Sequence, residues 1–122
     1  MCQTLLSVIL VQYEPDWSKL ERTLLSLLAQ DDQNFELIVA DDGSKVNHFA
    51  KTKSLLAHHG KTASFVLLPE NKGTVWNIWN AVSHCSGKWI YGISPGDYLY
   101  DKGVIRWLKS VCAKDHPHAG FG

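Results

Sequence analysis

Residues 35–44 read FELIVADDGS: a short, mainly apolar run closed by two acids, a glycine and a serine. A run that is apolar on consecutive positions, not only on alternate ones, reads as a strand buried on both faces, the form taken in parallel sheets. Asp41-Asp42-Gly43-Ser44 is turn and cap chemistry, so the strand ends at Ala40 and the chain turns toward a helix. Upstream, residues 5–12 (LLSVILVQ) form an equivalent strand, ended by Pro15. Ser18 and Glu21 have capping-box spacing, and Leu20, Leu24, Leu27 and Leu28 make one helical stripe running to about Gln30. Residues 31–34 are a polar turn.

Downstream the unit recurs. A weaker helix covers residues 47–59 and stops at Gly60, residues 63–68 (ASFVLL) form a third strand, and residues 74–85 a third helix. Residues 88–94 (KWIYGIS) are a fourth strand, ended by Pro95-Gly96, and Asp101 caps a fourth helix with Val104, Leu108, Val111 and Cys112 on one face. Residues 118–122 (HAGFG) begin another strand, whose edge would invite self-association. Strands alternating with helices predict an α/β fold: a doubly wound, mostly parallel sheet with helices on both faces. Right-handed crossovers then gather every strand-to-helix loop at the carboxyl edge, where such sheets bind ligands.

Composition narrows the class of function. The chain has 122 residues, with 12 Lys+Arg against 12 Asp+Glu, and its 45% hydrophobic content is that of one globular domain. A balanced charge gives no electrostatic reason to expect nucleic acid or an acidic membrane as partner. The longest apolar stretches fall far short of the roughly 20 residues that span a bilayer, so no transmembrane segment is expected. Cys2, Cys85 and Cys112 are odd in number and widely spaced, which fits a reducing, cytoplasmic setting better than a disulfide framework.

Four loops fall at the predicted edge. Tyr13, after the first strand, offers an aromatic face to a planar base, or else packs on a neighbouring helix. Of Asp41 and Asp42, one can face the cleft and accept a base N–H, or both can serve a turn. Asn71-Lys72-Gly73-Thr74 opens the third helix, where outward amides and the Lys72 ammonium could seat phosphate oxygens, or form a simple capped turn. Asp97 follows Ser94-Pro95-Gly96 and could reach a divalent cation, although a type II turn explains Ser94 to Gly96 without one. Neither a dinucleotide fingerprint nor a P-loop is present. A phosphoacceptor receiver domain is excluded, because the first strand ends in Val11-Gln12-Tyr13 and the third in Leu68-Pro69-Glu70, without the acids that chemistry needs. Two lesser candidates are His58-His59, read as a helix end, and Asp115-His116-Pro117-His118, a metal set that no element fixes. Trp17, Trp76, Trp79, Trp89 and Trp107 are expected to pack on the sheet, with Trp76 and Trp79 beside the third loop.

Taken in order, these segments resemble the nucleotide-sugar half of family 2 glycosyltransferases with the A-type fold. The matching pieces are SVILVQY at residues 7–13, TLLSLLAQ at 23–30 and FELIVADDGS at 35–44, followed by Asn71-Lys72-Gly73, Asn80-Ala81, Ser86-Gly87 and Gly96-Asp97-Tyr98-Leu99. They cover nearly the whole chain, and look particularly like bacterial enzymes of capsular or cell-surface polysaccharide synthesis. The resemblance implies that Tyr13 contacts the base, that Asp42 (with Asp41 as alternate) hydrogen-bonds it, and that Val11 touches the nucleotide through its backbone. It implies that Asn71, Lys72 and Gly73 lie at the donor, and that Asp97 holds a divalent cation, Mn or Mg, on the diphosphate. The implied partners are a nucleotide-diphospho-sugar donor and a glycan or lipid-linked acceptor, met in the cytoplasm or at the inner membrane face.

The chain departs from the family pattern in three ways. Only one carboxylate, Asp97, stands where the family often has two or three, and Trp79 replaces the Arg before Asn80. The family's acceptor-binding half and general base lie beyond the metal motif, so the expectation is an N-terminal donor-binding fragment of an inverting enzyme, with no catalytic base among these residues. A degenerate, non-catalytic nucleotide-binding or interaction module is the alternative.

Overall fold

A computed structural model describes residues 6–114 of the chain. Four strands alternate with four helices: β1 (Leu6–Gln12), α1 (Trp17–Leu28), β2 (Glu36–Asp41), α2 (Phe49–His58), β3 (Ser64–Leu67), α3 (Thr74–Val82), β4 (Trp89–Ile93) and α4 (Val104–Lys114). The strands form one parallel sheet in the order β3-β2-β1-β4. The expected α/β architecture is therefore present. The expected strand at residues 118–122 and the candidate set at 115–118 lie outside the described residues.

Side-chain alternation along the strands builds two cores. Leu6, Val8 and Leu10 of β1 and Leu37 and Val39 of β2 face α1, α2 and α4, meeting Leu20, Leu24, Leu27, Leu56 and Ile105. Burying each such leucine contributes about 2 kcal/mol, so α1 is held by its apolar stripe more than by its own propensity. On the opposite face Ile9, Ile38, Ala40 and Val66 meet α3, through Ala81. The buried residues of α3 are Asn77 and Ala81, which let the helix lie close on β1 and β2. Trp76 and Trp79 stand off that stripe and are 61% and 72% exposed, and Trp107 is 61% exposed. The expectation that the tryptophans pack on the sheet thus holds for Trp89 (6% exposed) but not for these three.

The start of α1 also differs from its expected form. Its N-cap is Asp16, whose carboxylate accepts the Lys19 amide at 3.1 Å and the Ser18 hydroxyl at 2.5 Å. Ser18 supports the cap from inside the first turn, so the capping box at Ser18 and Glu21 does not form.

Two serines and Glu36 lock the amino edge of the sheet. Glu36 Oε1 accepts from Ser7 Oγ and from the Ser86 amide, each at 2.7 Å, and Oε2 accepts from Ser86 Oγ at 2.9 Å. Gly87 donates its amide to Ser7 Oγ at 2.8 Å. A Cβ on Gly87 would lie 2.4 Å from that oxygen, so the close approach itself requires glycine. Burial raises the Glu36 pKa, but the hydrogen bonds from Ser86 and Ser7 outweigh it and hold the carboxyl below its ordinary value.

The chain moves one way across the sheet from β1 to β3, then crosses back under α3 to place β4 on the other side of β1. That reversal makes the carboxyl ends of β1 and β4 a topological switch point, the place where sheets of this kind bind ligands.

Candidate functional site

Gln12, Asp41, Leu67 and Ile93 end the four parallel strands, so the loops after them share one edge. Tyr13 follows β1, Asp42 follows β2, Asn71 to Gly73 lead into α3, and Asp97 lies four residues beyond β4. All the predicted site residues therefore stand at the carboxyl edge, on or just past the strand ends.

Asp41 and Asp42 have different surroundings. Asp41 is fully buried; its Oδ1 accepts from Gln12 Nε2 at 3.0 Å and from Ser44 Oγ at 2.7 Å, and its Oδ2 from the Ser44 amide at 2.7 Å. Ser44 Oγ in turn accepts the Glu14 amide at 2.6 Å, and the Glu14 carboxylate accepts the Lys45 amide at 2.7 Å. Glu14 adopts a left-handed φ of 44° to make this crossing. Asp41 is thus the anchor that ties the first loop to the second.

Asp42, 3% exposed, joins the second loop to the third. Its Oδ1 accepts the Lys72 amide at 2.7 Å, and its Oδ2 accepts Asn71 Nδ2 at 2.8 Å and the Gly73 amide at 2.9 Å. The amides expected to seat phosphate oxygens are directed onto this carboxylate instead. A fixed acid at the mouth of α3 takes the place an anion would fill at a helix N-terminus. What the third loop still offers outward is the Lys72 ammonium, half-exposed and 3.8 Å from Glu70. Gly43 makes the close approach of these loops possible. Its φ is +77°, and a Cβ there would lie 2.4 Å from the Glu70 carbonyl carbon.

Tyr13 is 52% exposed, so its ring is not spent on packing against a helix. Val11, half-buried, packs against the core under α3.

The loop after β4 is the expected type II turn: Gly96 has φ +102° and the Asp97 amide donates to the Ser94 carbonyl at 2.9 Å. Asp97 Oδ2 accepts the Ser94 amide at 3.1 Å, and Oδ1 has no partner among the described residues. The turn is held from α1 by buried Thr23, whose hydroxyl donates to the Asp97 carbonyl at 2.6 Å and accepts the Gly96 amide at 3.0 Å. Asp97 is exposed and can give one oxygen to a cation. Among the described residues no group of three His, Cys, Asp or Glu side chains could hold a metal ion. This donor set fits a hard cation whose remaining ligands are waters and substrate oxygens, and does not fit an all-protein cage.

Thr23, Gln12, Glu14 and Ser44 were not singled out in the sequence. Their roles depend on partners about 30 to 70 residues away, as in the Thr23–Asp97 and Gln12–Asp41 bonds, and no local pattern marks them. Pairing Gln12 with Asp41, both at strand ends in register, was the one signal available.

A cavity of about 520 Å³ lies at the opposite edge, lined in part by Phe35, Glu36, His59, Lys61 and Ser64. Burial, then the Lys109 ammonium, lowers the Lys61 pKa to about 8 against the pull of Asp32. The Lys61 ammonium donates to the Gln33 and Phe35 carbonyls at 2.7 and 2.9 Å, which makes it a structural tie.

A parallel sheet with an aromatic and two acids along its carboxyl edge is an open α/β domain whose candidate ligand site lies at the topological switch point. The family model for glycosyl transferase family 2 matches residues 7–109, and the chain belongs to that family. No curated protein matches. Among solved structures, TarS of S. aureus superposes with a TM-score of 0.77 at 20% identity, covering 90% of this chain and 20% of TarS. TarS residues 1–349 in complex with UDP-GlcNAc gives a TM-score of 0.72 at 22% identity, covering 90% of this chain and 31% of that one. The mannosyltransferase PcManGT of Pyrobaculum calidifontis, in complex with GDP-Man and Mn2+, gives 0.74 at 17% identity, covering 88% and 32%. These similarities establish the A-type glycosyltransferase fold, and the chain spans between a fifth and a third of the length of these structures. No helix among the described residues is long and apolar enough to cross a membrane.

Proposed function

We propose that this chain is the donor-binding part of an inverting glycosyltransferase that takes a nucleotide-diphospho-sugar. The observation that carries the reading is the gathering of Tyr13, Asp42 and Asp97 at the ends of three adjacent strands, β2-β1-β4, beside the topological switch. In this reading the exposed Tyr13 ring stacks on the base, and Asp42, with Asp41 as the alternate, accepts a base N–H. The Val11 backbone touches the nucleotide, and Asn71, Lys72 and Gly73 line the donor, with the Lys72 ammonium as the cation nearest the diphosphate. Asp97 Oδ1 holds a divalent cation, Mn or Mg. That ion would supply electrostatic stabilisation of the departing diphosphate. The residues of this chain bind and orient the donor, and none of them is assigned as the base that deprotonates the acceptor hydroxyl. The bound nucleotide sugars of TarS and PcManGT support a nucleotide-sugar donor, and the Mn2+ of PcManGT supports the cation. A glycan or lipid-linked acceptor at the cytoplasmic side, in surface polysaccharide synthesis, completes the proposal.

The single carboxylate at the metal loop, with Trp79 where the family carries Arg, favours a second reading: a degenerate module that binds no donor productively. Thermal melting with UDP, GDP and dTDP, each with and without manganese, separates the two. Ligand at about 100 times its dissociation constant stabilises a protein by roughly 2.7 kcal/mol. The donor-binding reading expects at least one nucleotide to do so, manganese to enhance it, and Asp97→Ala to remove only the enhancement. No response to any nucleotide would establish the degenerate module instead.

A further inference from the structure

α3 turns its small residues inward and its large apolar ones outward. Its buried residues are Asn77 and Ala81, and Asn77 Nδ2 donates to the Ala40 carbonyl at 2.9 Å. Val75, by contrast, is 79% exposed, Trp76 61% and Trp79 72%. Trp76 and Trp79 are three residues apart and Val75 and Trp79 four, so the three side chains share the outer face of the helix. The other helices present cations to water: Lys19 and Arg22 on α1, Lys51 and Lys53 on α2, and Arg106 on α4. α3 presents none, and residues 73–87 contain no Asp, Glu, Lys or Arg. A helix that is apolar on its outer as well as its inner side is normally covered on both.

We propose that this face is a homodimer interface, with α3 packing on α3 of a second copy about a two-fold axis. A two-fold contact sets a patch against itself, so a charged patch would meet its own sign, whereas an uncharged one is self-complementary. The chain as a whole carries 12 Lys+Arg against 12 Asp+Glu, so two copies do not repel at long range. The area is also sufficient. Large aromatic side chains bury about 150–250 Å² each, so Val75, Trp76 and Trp79 leave roughly 400 Å² of apolar surface open on one copy and roughly 800 Å² on two. A standard interface of about 1,600 Å², about 65% apolar, needs roughly 1,000 Å² of it, and these six side chains supply most of that. Tryptophan is also the side chain most enriched where binding energy concentrates. Tyr100 and Trp107, exposed beside α4, make no such face, because Asp101 and Arg106 lie among them.

Sedimentation equilibrium of the full 122-residue chain, from micromolar to sub-millimolar concentration, tests this. The expected result is a monomer–dimer equilibrium, with tryptophan emission moving to shorter wavelength as the dimer forms and the indoles leave water. Trp79→Lys and Val75→Lys are each expected to weaken dimerisation at least about ten-fold. Both positions are exposed, so the variants should keep the far-UV circular dichroism of the parent. Trp107→Lys, at an indole as exposed as Trp76 but on α4, is expected to leave the dimer unchanged. A monomer at every concentration would overturn the proposal. So would self-association that folded Trp79→Lys and Val75→Lys leave intact, as pairing through the β4 edge would.

Discussion

Thr23 Oγ1 lies 2.6 Å from the carbonyl oxygen of Asp97, a residue 74 positions further along the chain. The same hydroxyl accepts the Gly96 amide at 3.0 Å, so one buried side chain of α1 fixes the turn that aims the Asp97 carboxylate. Thr23→Val keeps the shape and deletes both bonds. It is expected to cost about 1–3 kcal/mol, read as a lower melting temperature. It should also weaken the manganese enhancement of nucleotide binding while leaving binding without metal unchanged, because the proposed base contacts, Tyr13 and Asp42, stand on loops that Thr23 does not touch.

Gly43 and Gly60 both have positive φ, +77° and +70°, but only Gly43 is pressed against another loop. Gly60→Ala should cost about 1–2 kcal/mol, the ordinary strain of a left-handed residue. Gly43→Ala carries that strain and also pushes on the Glu70 carbonyl carbon and the Asn71 amide. A larger drop in melting temperature is expected for Gly43→Ala, together with weaker nucleotide binding. Equal drops for the two variants would mean that the second and third loops do not depend on each other.

Glu36 titrates below its ordinary value of 4.5 in the folded protein, so its contribution is fully present above that pH and is lost as pH falls through the folded value. Below pH 4.5 the unfolded chain binds the proton more readily than the native state does, and stability declines. Glu36→Gln is expected to flatten the fall in melting temperature below pH 4.5, while lowering stability at neutral pH. An unchanged acid limb would remove Glu36 from the account of the amino edge.

The cap of α1 offers a comparison of neighbouring side chains. Asp16 accepts the Lys19 amide directly, whereas Ser18 only donates to Asp16. Asp16→Ala should therefore lower the melting temperature more than Ser18→Ala. The reverse order would restore Ser18 as the residue that starts the helix.

The order of elements was legible because each buried strand is an apolar run and each loop carries turn residues. Residues 5–12 and 35–40 could hardly be anything else in an alternating pattern, and the strand ends differ from expectation by at most one residue. The start of α1 was misread because Asp16 and Ser18 are both good caps, and only geometry decides between them. The exposure of Trp76 and Trp79 follows from the stripe of α3 being Asn77 and Ala81, which hydrophobicity alone does not pick out. Tyr13, Asp42 and Asp97 could be placed at the carboxyl edge of the sheet by topology, and that is where they stand. That the Lys72 and Gly73 amides turn onto Asp42 could not be read, since it depends on a contact across 30 residues.

The most direct test of donor binding at the carboxyl edge is a UDP titration of isotopically labelled protein, followed by the backbone amide resonances. Shifts confined to residues 12–14, 41–44, 71–73 and 94–97, with the amides around Lys61 undisturbed, are the predicted result. Shifts centred on the Lys61 cavity, or none at saturating nucleotide, would contradict it.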